Sequence, residues 1–140
     1  MKKVISYLEI IILLIAFICC FIPCLQYRNG LIIDIYVFDA NKIMGYTYLV
    51  LLIIGIVLKV LIIKKKDLFN KKINGFITNY GLLTIVLIAC ILYLVSTLYR
   101  KNMFLHYGIG FYILIGLFIL TLTTLIIKII INKKKNNRKK

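Results

Sequence analysis

Acidic side chains are scarce in this sequence. Glu9, Asp34, Asp39 and Asp67 are the only four in 140 residues, set against 19 lysines and arginines, for a formal net charge of +15. Tryptophan is absent, and proline and histidine occur once each, as Pro23 and His106. So few acids and a single imidazole leave little from which to build a general acid–base pair or a Ser-His-Asp nucleophile. No nucleotide-binding loop or zinc-hydrolase motif occurs either, and no enzymatic activity is expected. Asp34 and Asp39 read as groups that keep an apolar strand soluble and cap a turn. The four cysteines, Cys19, Cys20, Cys24 and Cys90, lack the spacing of a disulfide framework. Cys20 and Cys24 are spaced i, i+4 near the outer end of an apolar run, with Met44, Met103 and His106 expected at the same level. Such soft ligands suit Cu(I) or zinc, but without a Cys-x-x-Cys pair or a second histidine no metal or other cofactor is expected.

What the chain has in excess is hydrocarbon. Hydrophobic residues make up 63% and the mean hydropathy is +1.02, where a soluble domain carries about 45–50% apolar residues. The positive charge does not interleave with aromatics as it does in nucleic-acid-binding surfaces, so nucleic acid is not an expected partner. It gathers at the ends of apolar runs, as topology signals do. Four runs, at about 4–25, 45–63, 80–99 and 109–131, each approach the roughly 20 residues that cross a bilayer as a helix. The first is too long for a signal peptide and lacks a small-x-small cleavage site after it. The expected fold is an all-α integral membrane protein: a four-helix transmembrane bundle forming one domain over 1–132, followed by a basic, disordered cytoplasmic tail at 133–140.

Fifteen of the 19 basic residues fall on one side of that scheme: Lys2, Lys3, Lys59, Lys64, Lys65, Lys66, Lys71, Lys72, Lys128, Lys133, Lys134, Lys135, Arg138, Lys139 and Lys140. Arg28, Lys42, Arg100 and Lys101 fall on the other. The positive-inside rule therefore predicts a multi-pass protein of the cell membrane with both termini cytoplasmic. After the central basic island, Leu68, Phe69, Ile73, Phe76 and Ile77 recur at near-helical spacing and suggest a short interfacial helix. Gly81, Ala89 and Ser96 mark one packing stripe on the third span, and Gly116 and Thr123 another on the fourth.

On the outer side, Tyr27-Arg28-Asn29-Gly30 carries an Asn-Gly hairpin signal. The β-branched and aromatic run Leu31 to Phe38 reads as the returning strand of a small extracellular β-hairpin between the first two helices. Asp39 to Lys42 reads as a turn. Both faces of the strand are apolar, so the hairpin must cover something. Tyr27, Asn29, Gly30, Asp34, Tyr36, Phe38 and His106 are the candidate outer interaction surface. Within the membrane Glu9 is the one acidic residue in a span. It is a candidate ion-pair partner for Lys59 or Lys128 near the inner interface, or a coupling residue.

The Phe21-Ile22-Pro23 exit of the first span, the strand-forming outer loop and the Tyr107-Gly108-Ile109-Gly110-Phe111-Tyr112 opening of the fourth span carry a resemblance. The chain resembles small uncharacterised four-span membrane proteins of low-GC Gram-positive bacteria. Its layout is similar to the claudin-type arrangement, with a β-bearing loop between spans one and two. The claudin loop's tryptophan and cysteine pair are missing here, so the likeness implies no junction function. The functional expectation is a non-enzymatic membrane protein acting by interaction with a membrane protein or peptide, of accessory or immunity type. The alternative is a small transporter or channel subunit, working as a homo-oligomer in the lipid bilayer with Glu9 as its coupling residue.

Overall fold

Pro23 decides where the first helix stops. Its ring disfavours helical backbone in the residue before it, and its nitrogen has no hydrogen to donate. Accordingly α1 covers Lys2–Ile18, a 3-10 turn follows at Cys19–Phe21, and Ile22 is extended, with φ −108° and ψ 134°. The helical register between Cys20 and Cys24 expected from spacing is broken there. The computed structural model describes residues 2–29, 31–64, 80–100, 103 and 105–139. The interfacial helix expected over 68–77 lies outside them.

Two strands follow. β1 (Leu25–Asn29) and β2 (Leu31–Ile35) are antiparallel, with Leu25 opposite Ile35 and Asn29 opposite Leu31. Gly30, at the turn, lies outside the described residues. β2 ends before the Phe38 expected from composition. Val37 turns inward, fully buried, and Val37–Ala40 forms the short helix α2. Asn41 then caps α3 (Lys42–Ile63), its Oδ1 accepting from the Met44 N–H at 3.2 Å. That N-cap bond satisfies one of the first helical donors and starts the helix three residues earlier than hydropathy alone suggests.

α4 (Leu82–Arg100) leads into β3 (Leu105–Tyr107), and α5 spans Ile109–Arg138. β3 pairs antiparallel with β1, Tyr27 opposite Leu105, giving a three-stranded sheet in the order β2-β1-β3. The sheet thus joins the two outer loops. α5 has 30 residues, about 45 Å at 1.5 Å per residue, more than the roughly 30 Å of a hydrocarbon core. The tail expected to be disordered is helical through Arg138. Lys135 and Arg138 sit in its last turn, where cations complement the helix dipole.

Among the described residues, four helices, α1, α3, α4 and α5, are long and apolar enough to cross a membrane. α4 is the most enclosed of them, packing most extensively against α3 and next against α5, while α1 touches all three. The expected stripe, Gly81 just before α4 with Ala89 and Ser96 on it, is buried. Gly116 and Thr123 on α5 are exposed instead, with nothing within 4 Å of a Cβ placed on Gly116. The centre holds Tyr48 and Tyr93, edge to face at 5.3 Å between ring centroids. Their hydroxyls donate to the carbonyls of Ala16 at 2.5 Å and Cys19 at 3.4 Å. These carbonyls lie where α1 gives way to the 3-10 turn, so the tyrosines tie the helix end to α3 and α4 while burying their own hydroxyls with a partner; the Cys19 carbonyl also accepts the Ile22 N–H at 3.4 Å. Around them Cys19, Cys20, Cys24 and Cys90 are buried free thiols.

A backbone seam closes the end of the bundle that carries the sheet. The Gly108 N–H donates to the Cys24 carbonyl at 2.9 Å and the Gly110 N–H to the Pro23 carbonyl at 3.1 Å. A Cβ on Gly108 would overlap the Pro23 carbonyl oxygen, so glycine is needed for the approach. Gly108→Ala should destabilise the protein by about 1–3 kcal/mol, the usual cost of forcing extra atoms into a packed site. Gly116→Ala should be neutral or slightly stabilising. Thermal unfolding of the two variants in mild detergent checks this; equal midpoints would refute the seam.

Candidate functional site

Position along three helices brings the buried charges together. Glu9 lies six residues beyond Lys3, Lys59 five before Lys64, and Lys128 five before Lys133. Each therefore sits about 8 Å inside the basic end of its helix. Glu9 on α1 is 4% exposed and Lys59 on α3 is 7% exposed. Lys59 Nζ donates to Glu9 Oε2 at 2.7 Å and to Ser6 Oγ at 2.8 Å. Lys128 on α5 pairs with the other carboxylate oxygen, Oε1. One carboxylate thus bridges two ammonium groups from different helices, and the triad carries a formal charge of +1. Nearby, Asn132 Nδ2 donates to Tyr80 Oη at 2.9 Å, tying α5 to the chain just before α4.

In a low-dielectric surrounding, a buried charge is tolerated when it is paired and its remaining hydrogen-bonding capacity is used. Both Glu9 oxygens are engaged by lysines whose combined charge already exceeds that of the carboxylate, so a third cation would meet net repulsion. The chemistry this favours is electrostatic cross-linking of α1, α3 and α5.

The outer candidates separate into two groups. Tyr27 is half-buried and packs on the core, and Phe38 stacks obliquely on Tyr46 at 5.5 Å. These two support the platform. Tyr36 is half-buried ahead of α2. Asp34 is exposed and accepts from Gln26 Nε2 at 3.0 Å across the hairpin. His106 is exposed on β3, opposite Gln26. Asn29 ends β1 opposite Leu31. Residues absent from the sequence-derived set dominate the exposed face: Leu31, Ile32 and Ile33 are 77%, 69% and 54% exposed. The available signal was the apolar character of both strand faces. β2 is an edge of the sheet, so it presents unpaired backbone groups beside this aliphatic run.

Among the described residues no group of three or more His, Cys, Asp or Glu side chains is arranged to hold a metal ion. Comparison with protein-family models, with curated proteins and with solved structures finds no match.

Removing Glu9 leaves two uncompensated ammonium groups in an apolar setting. Glu9→Leu should destabilise the fold by about 3–5 kcal/mol, while replacing Glu9, Lys59 and Lys128 together by leucine should recover most of the loss. Unfolding in detergent, arranged as a mutant cycle, checks this. Additive losses in the triple variant would show that the three groups do not act as a unit.

Proposed function

We propose that this chain is a non-enzymatic protein of the bacterial cytoplasmic membrane, crossing it four times with both termini inside. It acts by gripping a protein or extended peptide at its outer face, as an accessory or immunity-type protein does. The observation that carries this reading is β2. It is an edge strand whose Leu31, Ile32 and Ile33 are exposed. Its one charged residue, Asp34, is engaged by Gln26 within the hairpin. Edge strands that are not meant to pair usually carry lysine, proline or a bulge. An edge left apolar and open suits strand addition, in which main-chain hydrogen bonds supply affinity and alternate side chains supply selectivity. The sheet is held on the helices by the seam at Pro23 and Gly108, so the edge is presented on a rigid support.

The transporter reading draws less from the geometry. Both oxygens of its candidate coupling residue, Glu9, are taken by lysines, and exchange of a bound cation would require that cross-link to open.

Two measurements test the proposal. A photoreactive side chain at Ile32 in intact cells should give a discrete protein or peptide adduct. Ile33→Lys should abolish that adduct while leaving thermal stability within about 0.5 kcal/mol, as surface substitutions generally do. Adducts to lipid alone would overturn the interaction reading. Sidedness is tested separately, helped by the burial of all four natural thiols. Leu31→Cys should react with an impermeant maleimide on intact cells, and Asn137→Cys only after permeabilisation. The reverse pattern would overturn the orientation.

A further inference from the structure

The triad's unbalanced charge lies beside a second feature. Between α1 and α3 runs a groove of about 430 Å³, lined by Ile10, Leu13, Leu14, Phe17, Ile56, Val60 and the stem of Lys59. No polar atom forms its wall. Leu14, Phe17, Ile56 and Val60 are exposed on the outer surface of the bundle, so the groove opens sideways rather than into the core. It starts at the level of Lys59 and continues toward the outer end of α1. Below that level comes the exposed Lys64, the first residue of the basic island.

We propose that this groove is a binding site for an anionic phospholipid of the inner leaflet. One acyl chain lies along Leu13, Leu14 and Phe17, and the phosphate faces the Lys59–Lys64 end. The inference rests on the membrane placement proposed above. Three observations select this occupant. A wall made only of hydrocarbon excludes a polar or ionic ligand, since burying unmatched polar groups there is costly. The opening faces sideways, where lipid chains lie in the proposed placement. The charge then sets the headgroup. The triad is formally +1, Lys64 adds another cation, and no second acidic side chain among the described residues lies at this end, since Asp34 and Asp39 are on the outer loop. Basic groups at the cytoplasmic surface attract anionic headgroups; the exposed Lys64 is placed to meet the phosphate, while the buried Lys59 ammonium stays with Glu9 and Ser6 and contributes through the net charge of the triad.

The test uses the full chain reconstituted in bilayer discs of equal phosphatidylglycerol and phosphatidylcholine, with retained lipid counted by native mass spectrometry. One phosphatidylglycerol should be retained over phosphatidylcholine by about fivefold, the effect expected of one cation near the surface. Leu14→Trp, which fills the groove at an exposed position, should lose the retained lipid at unchanged thermal stability. Lys64→Gln, which leaves the triad intact, should keep a lipid but lower the headgroup preference. Equal retention of the two lipids, or retention unaffected by Leu14→Trp, would overturn the site. An alkaline wash of the same protein in vesicles separates the two levels of the argument. Protein that stays in the vesicles without a preferred lipid sinks the site alone, whereas protein released by the wash sinks the membrane placement and the site with it.

Discussion

A carboxylate cannot stay charged in an apolar interior without partners, and Glu9 finds them in two lysines. That constraint organises the inner end of the structure. Lys59 and Lys128 come from helices far apart in sequence, yet each is placed at the depth of Glu9 and engages a different oxygen. Apolar side chains alone specify helix rotation and depth weakly, because one aliphatic contact can stand in for another. A charge that must be matched specifies rotation and depth together. It fixes which face of α1 turns inward and at what height α3 and α5 meet it.

The outer end is fixed by different means. There the chain has to leave the helical ladder, and Pro23 makes it do so at a defined residue. Carbonyls on both sides of that break accept from Tyr48, Tyr93, Gly108 and Gly110. The two outer loops then join through β1, which accepts β2 on one side and β3 on the other. Pairing to β3 leaves β2 as the open edge next to the hairpin turn, and this is where the exposed aliphatic residues concentrate. An ion-paired base and a backbone-sealed top thus hold the helices at both ends, with the tyrosine pair between them. The ends are also where the candidate binding features lie.

Much of this was legible beforehand because solvent preference leaves a strong mark on sequence. Four apolar runs with basic flanks gave four long helices, and the Asn29-Gly30 signal gave the hairpin. Glu9 stood out as the one acid inside an apolar run, and its lysine partners could be named from depth. What was not legible depended on short or non-local effects. β3 is three residues long and gains its structure from pairing with β1, so no periodicity announced it. The strand expected to reach Phe38 stops at Ile35 because burial of Val37 outweighs β-propensity. The helical end of α5 was masked by polar composition, although Lys and Arg are good helix formers when they continue an existing helix. Gly116 and Thr123 share a face by spacing, but spacing does not say whether that face meets a neighbour. The exposed aliphatic residues of β2 were visible as composition, while their position at an open edge required the third strand.

The most direct measurement of this account uses the fact that Glu9 is the only glutamate in the chain. Protein labelled with ¹³C at the glutamate side-chain carboxyl and ¹⁵N at lysine Nζ, reconstituted in lipid bilayers, gives a single carboxyl signal for carbon–nitrogen dipolar recoupling. The account predicts strong dephasing at ion-pair separation, consistent with the 2.7 Å contact to Lys59 and a second partner in Lys128, and reduced to that of one nitrogen in a Lys128→Met variant. A carboxyl carbon with no nearby ammonium nitrogen would contradict it.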